Sequence, residues 1–197
     1  GRVNGDAVNF SVTENVLSGS DSINLSSSPA GLAIGDEILI INLQGTEADH
    51  SNVGQYETAY ITGLVDQSLT LDKDLTNGYD GTTQKIMVQR IPQYTDVTVN
   101  AGVNWYPSAW DGTKGGVFSL KASGTVSIDG SIDVTALGYR GGARAASPAG
   151  YASPGEGYFS ISGDSGKGGK HLSVGYAGTW SGGRGGGSDK AGGSGSS

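Results

Sequence analysis

Apolar and polar residues alternate along much of the first half of the chain, and this alternation is the pattern of half-buried β-strands. Helical periodicity is almost absent. Turn signals such as Asn77-Gly78 separate the alternating segments, and Pro92 stops the last of them. Strands at intervals of roughly ten to fifteen residues are typical of a small β-sandwich or barrel. The predicted strands cover residues 7–12, 22–25, 37–43, 56–62, 68–71 and 85–91.

The aliphatic residues of these segments supply a modest hydrophobic core. The run over residues 37–43 is bounded by turn residues. It is too short and too rich in β-branched residues for a helix, so we predict a buried strand there. The expected core residues are Ile34, Ile38, Ile40, Leu43, Tyr60, Leu69, Leu71, Ile86 and Val88.

A loose repeat begins after residue 94. The segments 95–103 and 124–132 are similar, and aligning Val97 with Val126 gives a period of 29 residues. A further alternating segment lies between them, over residues 116–122. Short strands with a loose repeat indicate the rungs of a parallel β-solenoid. The alternative is an ordinary hairpin at Asp129-Gly130, because Asp-Gly is a strong hairpin signal.

Glycine and charge divide the chain at one place. Glycine provides 36 of the 197 residues, against an ordinary usage of roughly 7%, and 20 of them lie in residues 138–197. Residues 1–137 carry a net charge of −10, whereas residues 138–197 carry +3. We therefore predict an all-β protein with three regions. A small β-sandwich or barrel covers residues 1–94, a β-solenoid-like section covers 95–137, and a glycine-rich extended tail covers 138–197.

The glycine-rich tail carries more large rings than a solvated linker needs. It has no strict Gly-X-Y period, so a collagen helix is excluded. The rings indicate packing against the same chain or a neighbouring copy. An acidic body and a basic tail would attract one another between copies in a salt-dependent way; alternatively, the excess acid serves solubility alone. The aromatic residues are Tyr139, Tyr151, Tyr158, Phe159, Tyr176 and Trp180.

Residues suited to metal or thiol chemistry are few. The chain has no cysteine, which excludes disulfides. His50 lies near Glu47 and Asp49, but two isolated histidines do not form a metal-ligand spacing, and a solvated loop explains them better. The acidic residues between 72 and 80 lack the pattern of a helix-loop-helix calcium site and are interpreted as surface acid. We predict no metal and no cofactor.

Enzymatic and nucleic-acid signatures are also missing from the sequence. There is no Gly-x-Ser-x-Gly elbow and no glycine-rich turn between a strand and a helix for a nucleotide. Asp129 and Asp133 could converge for glycoside hydrolysis, but their turn positions explain them. Net negative charge argues against nucleic acid, and no apolar run approaches the roughly 18 residues of a membrane helix. We predict that the protein is not an enzyme, binds no nucleic acid and has no membrane span.

One block of sequence resembles a protein family. It covers residues 105–117, beginning Trp105-Tyr106-Pro107, and residues 124–142, and it follows Ile91-Pro92-Gln93-Tyr94. This block is similar to poorly characterised glycine-rich exported bacterial surface proteins, which have a β-rich head and then a glycine-rich region. The resemblance covers residues 35–142 and implies a secreted or cell-surface location without an established activity. In composition alone, the tail is more loosely similar to glycine-rich phage tail-fibre adhesins.

These patterns favour an extracellular structural protein, a subunit of a self-associating surface filament or matrix. Residues 7–12 would complete the sheet edge of another copy, and the tail would pack between subunits. The alternative is an adhesin or phage tail-fibre module that recognises cell-surface glycans or proteins through its rings. The tryptophan-rich block could also be a loop that covers the β-core. The interface candidates are Val8, Phe10, Val12, Trp105, Tyr106, Trp110, Tyr151, Tyr158 and Trp180.

Overall fold

The predicted strands of the first region form one six-stranded sheet. The computed structural model describes residues 8–46, 48–140 and 156–157, and these ranges contain no helix. The spatial order of its strands is β1 (Asn9–Val12), β8 (Lys85–Ile91), β4 (Glu37–Gln44), β5 (Tyr56–Val65), β6 (Ser68–Leu71) and β3 (Ser22–Asn24). The pairs β1–β8, β4–β5, β5–β6 and β6–β3 are antiparallel. The predicted all-β fold is confirmed.

The two edge strands of this sheet meet. Val12, the last residue of β1, forms an isolated antiparallel bridge with Leu25, which follows β3. Beside it, the Ser26 N–H donates to the Ser11 carbonyl oxygen over 2.8 Å. The sheet is therefore curled into a partial barrel, an arrangement that covers strand edges. A separate antiparallel pair joins β2 (Asn15–Val16) to β7 (Tyr79–Asp80).

The interior of the curled sheet holds most of the predicted core. Ile38, Ile40, Leu69, Leu71, Ile86 and Val88 are buried as expected. Ile34 is 65% exposed because it lies in the turn that precedes β4, so that part of the prediction is wrong. Tyr60 is also exposed, since its strand neighbours Ala59 and Ile61 take the inner face. Core residues that were not among those expected include Val12, Val16, Ile23, Leu25, Leu75 and Tyr79.

The section after the barrel is a parallel β-coil. Three parallel pairs stack its short strands, and the central pair aligns Val97 with Val126, the register predicted from the repeat. The solenoid-like prediction is confirmed. The pairs are β9 (Gln93–Tyr94) with β12 (Lys121–Ala122), β10 (Val97–Val99) with β13 (Val126–Ile128), and β11 (Asn104–Trp105) with β14 (Ser131–Ile132).

The turns of the coil stack in the same way as its strands. The N–H groups of Asp129 and Gly130 both donate to the Val99 carbonyl oxygen, over 2.8 and 2.9 Å. The Ser131 N–H donates to the Val103 carbonyl oxygen over 2.9 Å. Asp129-Gly130 is therefore a coil turn placed on the turn of the preceding rung. The hairpin alternative is wrong.

The strand predicted over residues 116–122 is shorter than expected. Its strand part is β12, whereas the preceding residues cover the outer face of β8. There the Gln89 Nε2 donates to the Val117 carbonyl oxygen over 3.2 Å and to Ser119 Oγ over 2.9 Å. Side-chain hydrogen bonds to the sheet replace strand pairing in this loop.

The chain divides into two compact units, Gly1–Leu43 with Gly54–Gly138, and Gln44–Val53 with Tyr139–Ser197. Barrel and coil both belong to the first. In the described part of the second, Arg140 pairs with the Glu156 carboxylate, and partial burial together with that charge raises the pKa of Tyr139 to about 12. The predicted limits at residues 94 and 137 stay a prediction. Most of the glycine-rich tail lies outside the described residues.

Candidate functional site

A polar depression lies where the barrel passes into the coil. Gly35, at φ +90°, turns the chain into β4. Pro92, which has no N–H to donate, ends β8, and the chain continues directly into β9. The depression has a volume of about 370 Å³. It is lined by Gly35, Asp36, Glu37, Arg90, Ile91, Pro92, Gln93 and Tyr94.

Glu37 is the anchored carboxylate of this depression. Its side chain is 3% exposed. Oε1 accepts from Lys121 Nζ over 2.6 Å, and Oε2 accepts from Gln93 Nε2 over 2.8 Å and from the Tyr60 hydroxyl over 3.4 Å. These bonds tie β4 to β9 and β12. They compensate the burial of the charge and fix the wall of the depression.

Replacing Lys121 by methionine is expected to lower the melting temperature, because the buried Glu37 carboxylate loses its ionic partner. The hydrogen bond and the charge of Glu37 raise the pKa of Lys121. Since the folded-state pKa lies above the ordinary value of about 10.4, this stabilisation is complete below that pH. It is lost as the pH rises through the folded-state value.

Thermal unfolding at about pH 8 and about pH 11.5, followed by circular dichroism, checks this expectation. The difference in melting temperature between wild type and Lys121→Met should shrink at the higher pH. Lys73→Met, at an exposed position without a side-chain contact in the described ranges, is the control. An undiminished difference at high pH would show that the ion pair does not stabilise the fold.

Arg90 is the second buried charge of the depression. It is 5% exposed, and its Nη1 donates to the Gly31 carbonyl oxygen over 3.2 Å. Its Nε has no hydrogen-bond partner within the described ranges, and Arg90 forms no ion pair there. A buried guanidinium without a carboxylate is costly, because desolvation of the charge is not repaid.

An aromatic cluster adjoins the depression through Tyr94. The Tyr94 and Trp105 rings meet edge to face at a centroid distance of 6.2 Å. The Trp105 and Phe118 rings do so at 5.0 Å. Edge-to-face packing holds the rings in fixed orientations. Tyr94 therefore presents a supported ring at the edge of the polar groups.

The predicted interface residues of the first strand lie in the barrel. Val12 is buried in the core, and Val8 and Phe10 are partly buried against it. Phe10 lies opposite Val88, since β1 pairs with β8 of its own chain. In this structure the strand completes its own sheet, and a role in contacts between copies stays a prediction.

The predicted aromatic interface residues differ in how exposed they are in the structure. Trp105 is half-buried within the ring cluster, Tyr106 is 63% exposed, and Trp110 is 6% exposed. The Trp110 ring is therefore covered, and the backbone N–H of this residue donates to the Leu137 carbonyl oxygen over 2.8 Å. The remaining candidates, Tyr151, Tyr158 and Trp180, lie outside the described residues.

The other acidic positions serve local turns. Asp80 accepts hydrogen bonds from Thr82 and Thr83, and these bonds lower its pKa. The Asp133 carboxylate accepts from the Thr135 N–H over 2.8 Å, and hydrogen bonding with the Thr135 side chain and with this N–H lowers its pKa as well. Within the described ranges, no three His, Asp or Glu residues form a group that could hold a metal ion. No helix there is long and apolar enough to cross a membrane.

Sequence reasoning missed the depression. The sequence pattern assigned Asp36, Glu37 and Arg90 to ordinary strands or turns. It gave Gln93-Tyr94 no role beyond the family resemblance. The signal that was available is the charged Arg90 near the end of a strand that also carries Ile86, Met87, Val88 and Ile91 and is followed by Pro92. Such a residue is seldom fully buried without a partner.

No protein-family model matches the chain, and no curated protein matches it in sequence. Three solved phage tailspikes are similar to it in structure. The tailspike protein gp49 from Pseudomonas phage LKA1 is 18% identical, with a TM-score of 0.38, over 61% of this chain and 21% of its own. Tailspike gp61 of Pseudomonas phage phi297 is 13% identical, with a TM-score of 0.35, over 61% and 19%.

The third, the Gp54 tailspike of Acinetobacter baumannii bacteriophage AP22, was solved in complex with A. baumannii capsular saccharide. It is 9% identical, with a TM-score of 0.36, over 62% of this chain and 21% of its own. The chain thus spans about a fifth of the length of these tailspikes. That these neighbours are phage tailspikes is loosely consistent with the expected similarity to phage tail-fibre adhesins, and the resemblance to exported bacterial surface proteins stays a prediction.

These neighbours also correct one prediction. The chain was expected not to be an enzyme, whereas tailspikes often degrade glycans, so that expectation is withdrawn.

Proposed function

We propose that the chain is a recognition module of an extracellular or cell-surface protein and that it binds surface saccharides in the polar depression. The observation that carries this proposal is the presence of buried charge, exposed amide and supported aromatic ring in one depression. Saccharides offer hydroxyl groups that donate and accept, and C–H faces that pack on rings. Ligand sites combine such a surface with a few polar groups that fix orientation.

The lining supplies both kinds of hydrogen-bonding group. Arg90 offers donors, Asp36 offers carboxylate oxygens, and the exposed Gln93 side chain offers an amide. Asp36 is oriented by the Ala33 N–H, which donates to its Oδ2 over 2.8 Å. The side chains stand at the ends of strands, and sites on such elements hold their geometry well.

Self-association is the second candidate, and the exposed apolar residues of the coil favour it. Val103, Val126, Ile128, Ile132 and Val134 are between 36% and 54% exposed. Apolar side chains gathered on one element favour burial against a partner. Strand donation by residues 7–12 has less support, since β1 is paired within its own chain.

A saccharide array tests the first candidate. We expect binding to bacterial surface saccharides and a loss of about tenfold in Tyr94→Ala, equal to about 1.4 kcal/mol of binding free energy. Tyr106→Ala removes a ring that does not line the depression and should bind like the wild type. Equal binding by both variants would place the site elsewhere, and no binding to any saccharide would refute the proposal. Sedimentation velocity on the same samples reports self-association.

A further inference from the structure

The hydrogen bonds of Arg90 leave two of its donor atoms unused among the described residues. Nη1 is used by the Gly31 carbonyl oxygen. Nε is buried and has no partner, and Nη2 makes no hydrogen bond in the described part of the chain. Nη2, which is not among the buried atoms, is therefore the donor that a ligand in the depression can reach.

We infer that this depression selects saccharides that carry a carboxylate, such as uronic acids, and that Arg90 recognises that group. The inference rests on the proposed function and names the substrate class of the same site. A guanidinium donor such as Nη2 forms a short, charge-assisted hydrogen bond with a carboxylate oxygen. A bound carboxylate would also supply the counter-charge that Arg90 lacks among the described residues, and thus offset the desolvation of the guanidinium.

The other charges of the depression direct the ligand to Arg90. Lys121 is engaged by the Glu37 carboxylate, so this pair offers an incoming anion little net charge. Asp36 bears a negative charge on the same lining and repels a second carboxylate. Gln93 and Tyr94 lie beside the site, where an amide and a ring suit the hydroxyls and the C–H face of the sugar.

The net negative charge of residues 1–137 restricts this recognition to short range. Residues 1–137 carry a net charge of −10, so long-range forces do not attract an anionic polymer. Screening limits such forces to about 8 Å at physiological salt, whereas the contact with Arg90 acts at hydrogen-bond range. Specificity therefore depends on Arg90 itself, and neutralising its acidic neighbour should strengthen binding.

Calorimetric titration tests the inference with uronic-acid oligosaccharides, their carboxyl-reduced counterparts and sulfated oligosaccharides. We expect the uronic-acid forms to bind about 10- to 100-fold more tightly than the reduced forms. Arg90→Gln should abolish this preference, and Asp36→Asn should increase affinity for the acidic forms. Lys114→Gln, which changes a lysine outside the lining, should leave both affinities unchanged.

Thermal unfolding of each variant shows whether it folds. If Arg90→Gln does not fold, Arg90→Lys and Asp36→Asn decide: loss of the acid preference in the first and a gain in affinity in the second support the inference. Equal binding of acidic and reduced forms would overturn it and leave saccharide binding intact, and so would a preference for sulfated forms. Absence of binding to every saccharide would refute the proposed function as well.

Discussion

Replacing Gly130 by alanine is expected to destabilise the β-coil by about 3 kcal/mol. A Cβ at this position would overlap the carbonyl oxygens of Val103 and Asn100 and would lie 3.0 Å from Val99 Cγ1. The obstructing atoms are mostly backbone of the preceding rung, so no side chain can rotate away. The stacked turns must separate, and the hydrogen bonds from Asp129 and Gly130 to Val99 would be lost.

Denaturant unfolding and limited proteolysis of the full chain measure this effect. A loss of about 3 kcal/mol corresponds to a fall of about 6–12 °C in melting temperature for a chain of this size. Gly138→Ala is the matched control, because no atom lies within 4 Å of its added Cβ. Similar stability of the two variants would show that the rungs are not in close contact at this turn.

Replacing Ile40 by alanine is expected to lower the free energy of unfolding by about 2–5 kcal/mol. Ile40 is fully buried, on the strand between β8 and β5. The substitution removes three carbon atoms from the interior and leaves a cavity that the curled sheet cannot close by moving one strand. The cost therefore includes both the lost burial and the lost packing contacts.

Ile34→Ala makes the same chemical change at a site that is 65% exposed, and it should alter stability by less than about 0.5 kcal/mol. Urea unfolding of both variants compares the two positions directly. A large loss in Ile34→Ala would contradict its place in an exposed turn. A small loss in Ile40→Ala would contradict the barrel interior.

Much of the fold could be predicted from alternation and from short apolar runs bounded by turn residues. The predicted segments 37–43, 68–71 and 85–91 match β4, β6 and β8 to within a residue. Alternation identifies strands because successive side chains point to opposite faces of a sheet. Alternation did not predict the exposure of Ile34 and Tyr60. Ile34 is exposed because it lies in a turn, and Tyr60 is exposed because its strand neighbours take the inner face.

The parallel coil was predicted from similarity at a fixed spacing. Stacked rungs place equivalent residues opposite one another, so Val97 and Val126 are both repeated in sequence and paired in space. The Asp129-Gly130 turn was ambiguous, because the same dipeptide serves hairpins and coil turns. Contacts with the preceding rung decide between them, and those contacts are distant in sequence.

The candidate site could not be predicted from local pattern. Glu37 and Lys121 are 84 positions apart, and Arg90 lies between them in a strand. The sheet order places β8 beside β4, and the pairing of β12 with β9 brings Lys121 to the same place. The charge of Arg90 was visible in the sequence, but its lack of a partner depends on the fold around it.

The single residue between β8 and β9 has a mechanical consequence. Pro92 directly joins a strand in the interior of the barrel sheet, flanked by β1 and β4, to the first strand of the coil. A pulling force along the coil would therefore be transmitted to a strand held on both sides by hydrogen bonds. Several of these bonds would share the load, so the joint is suited to withstand tension.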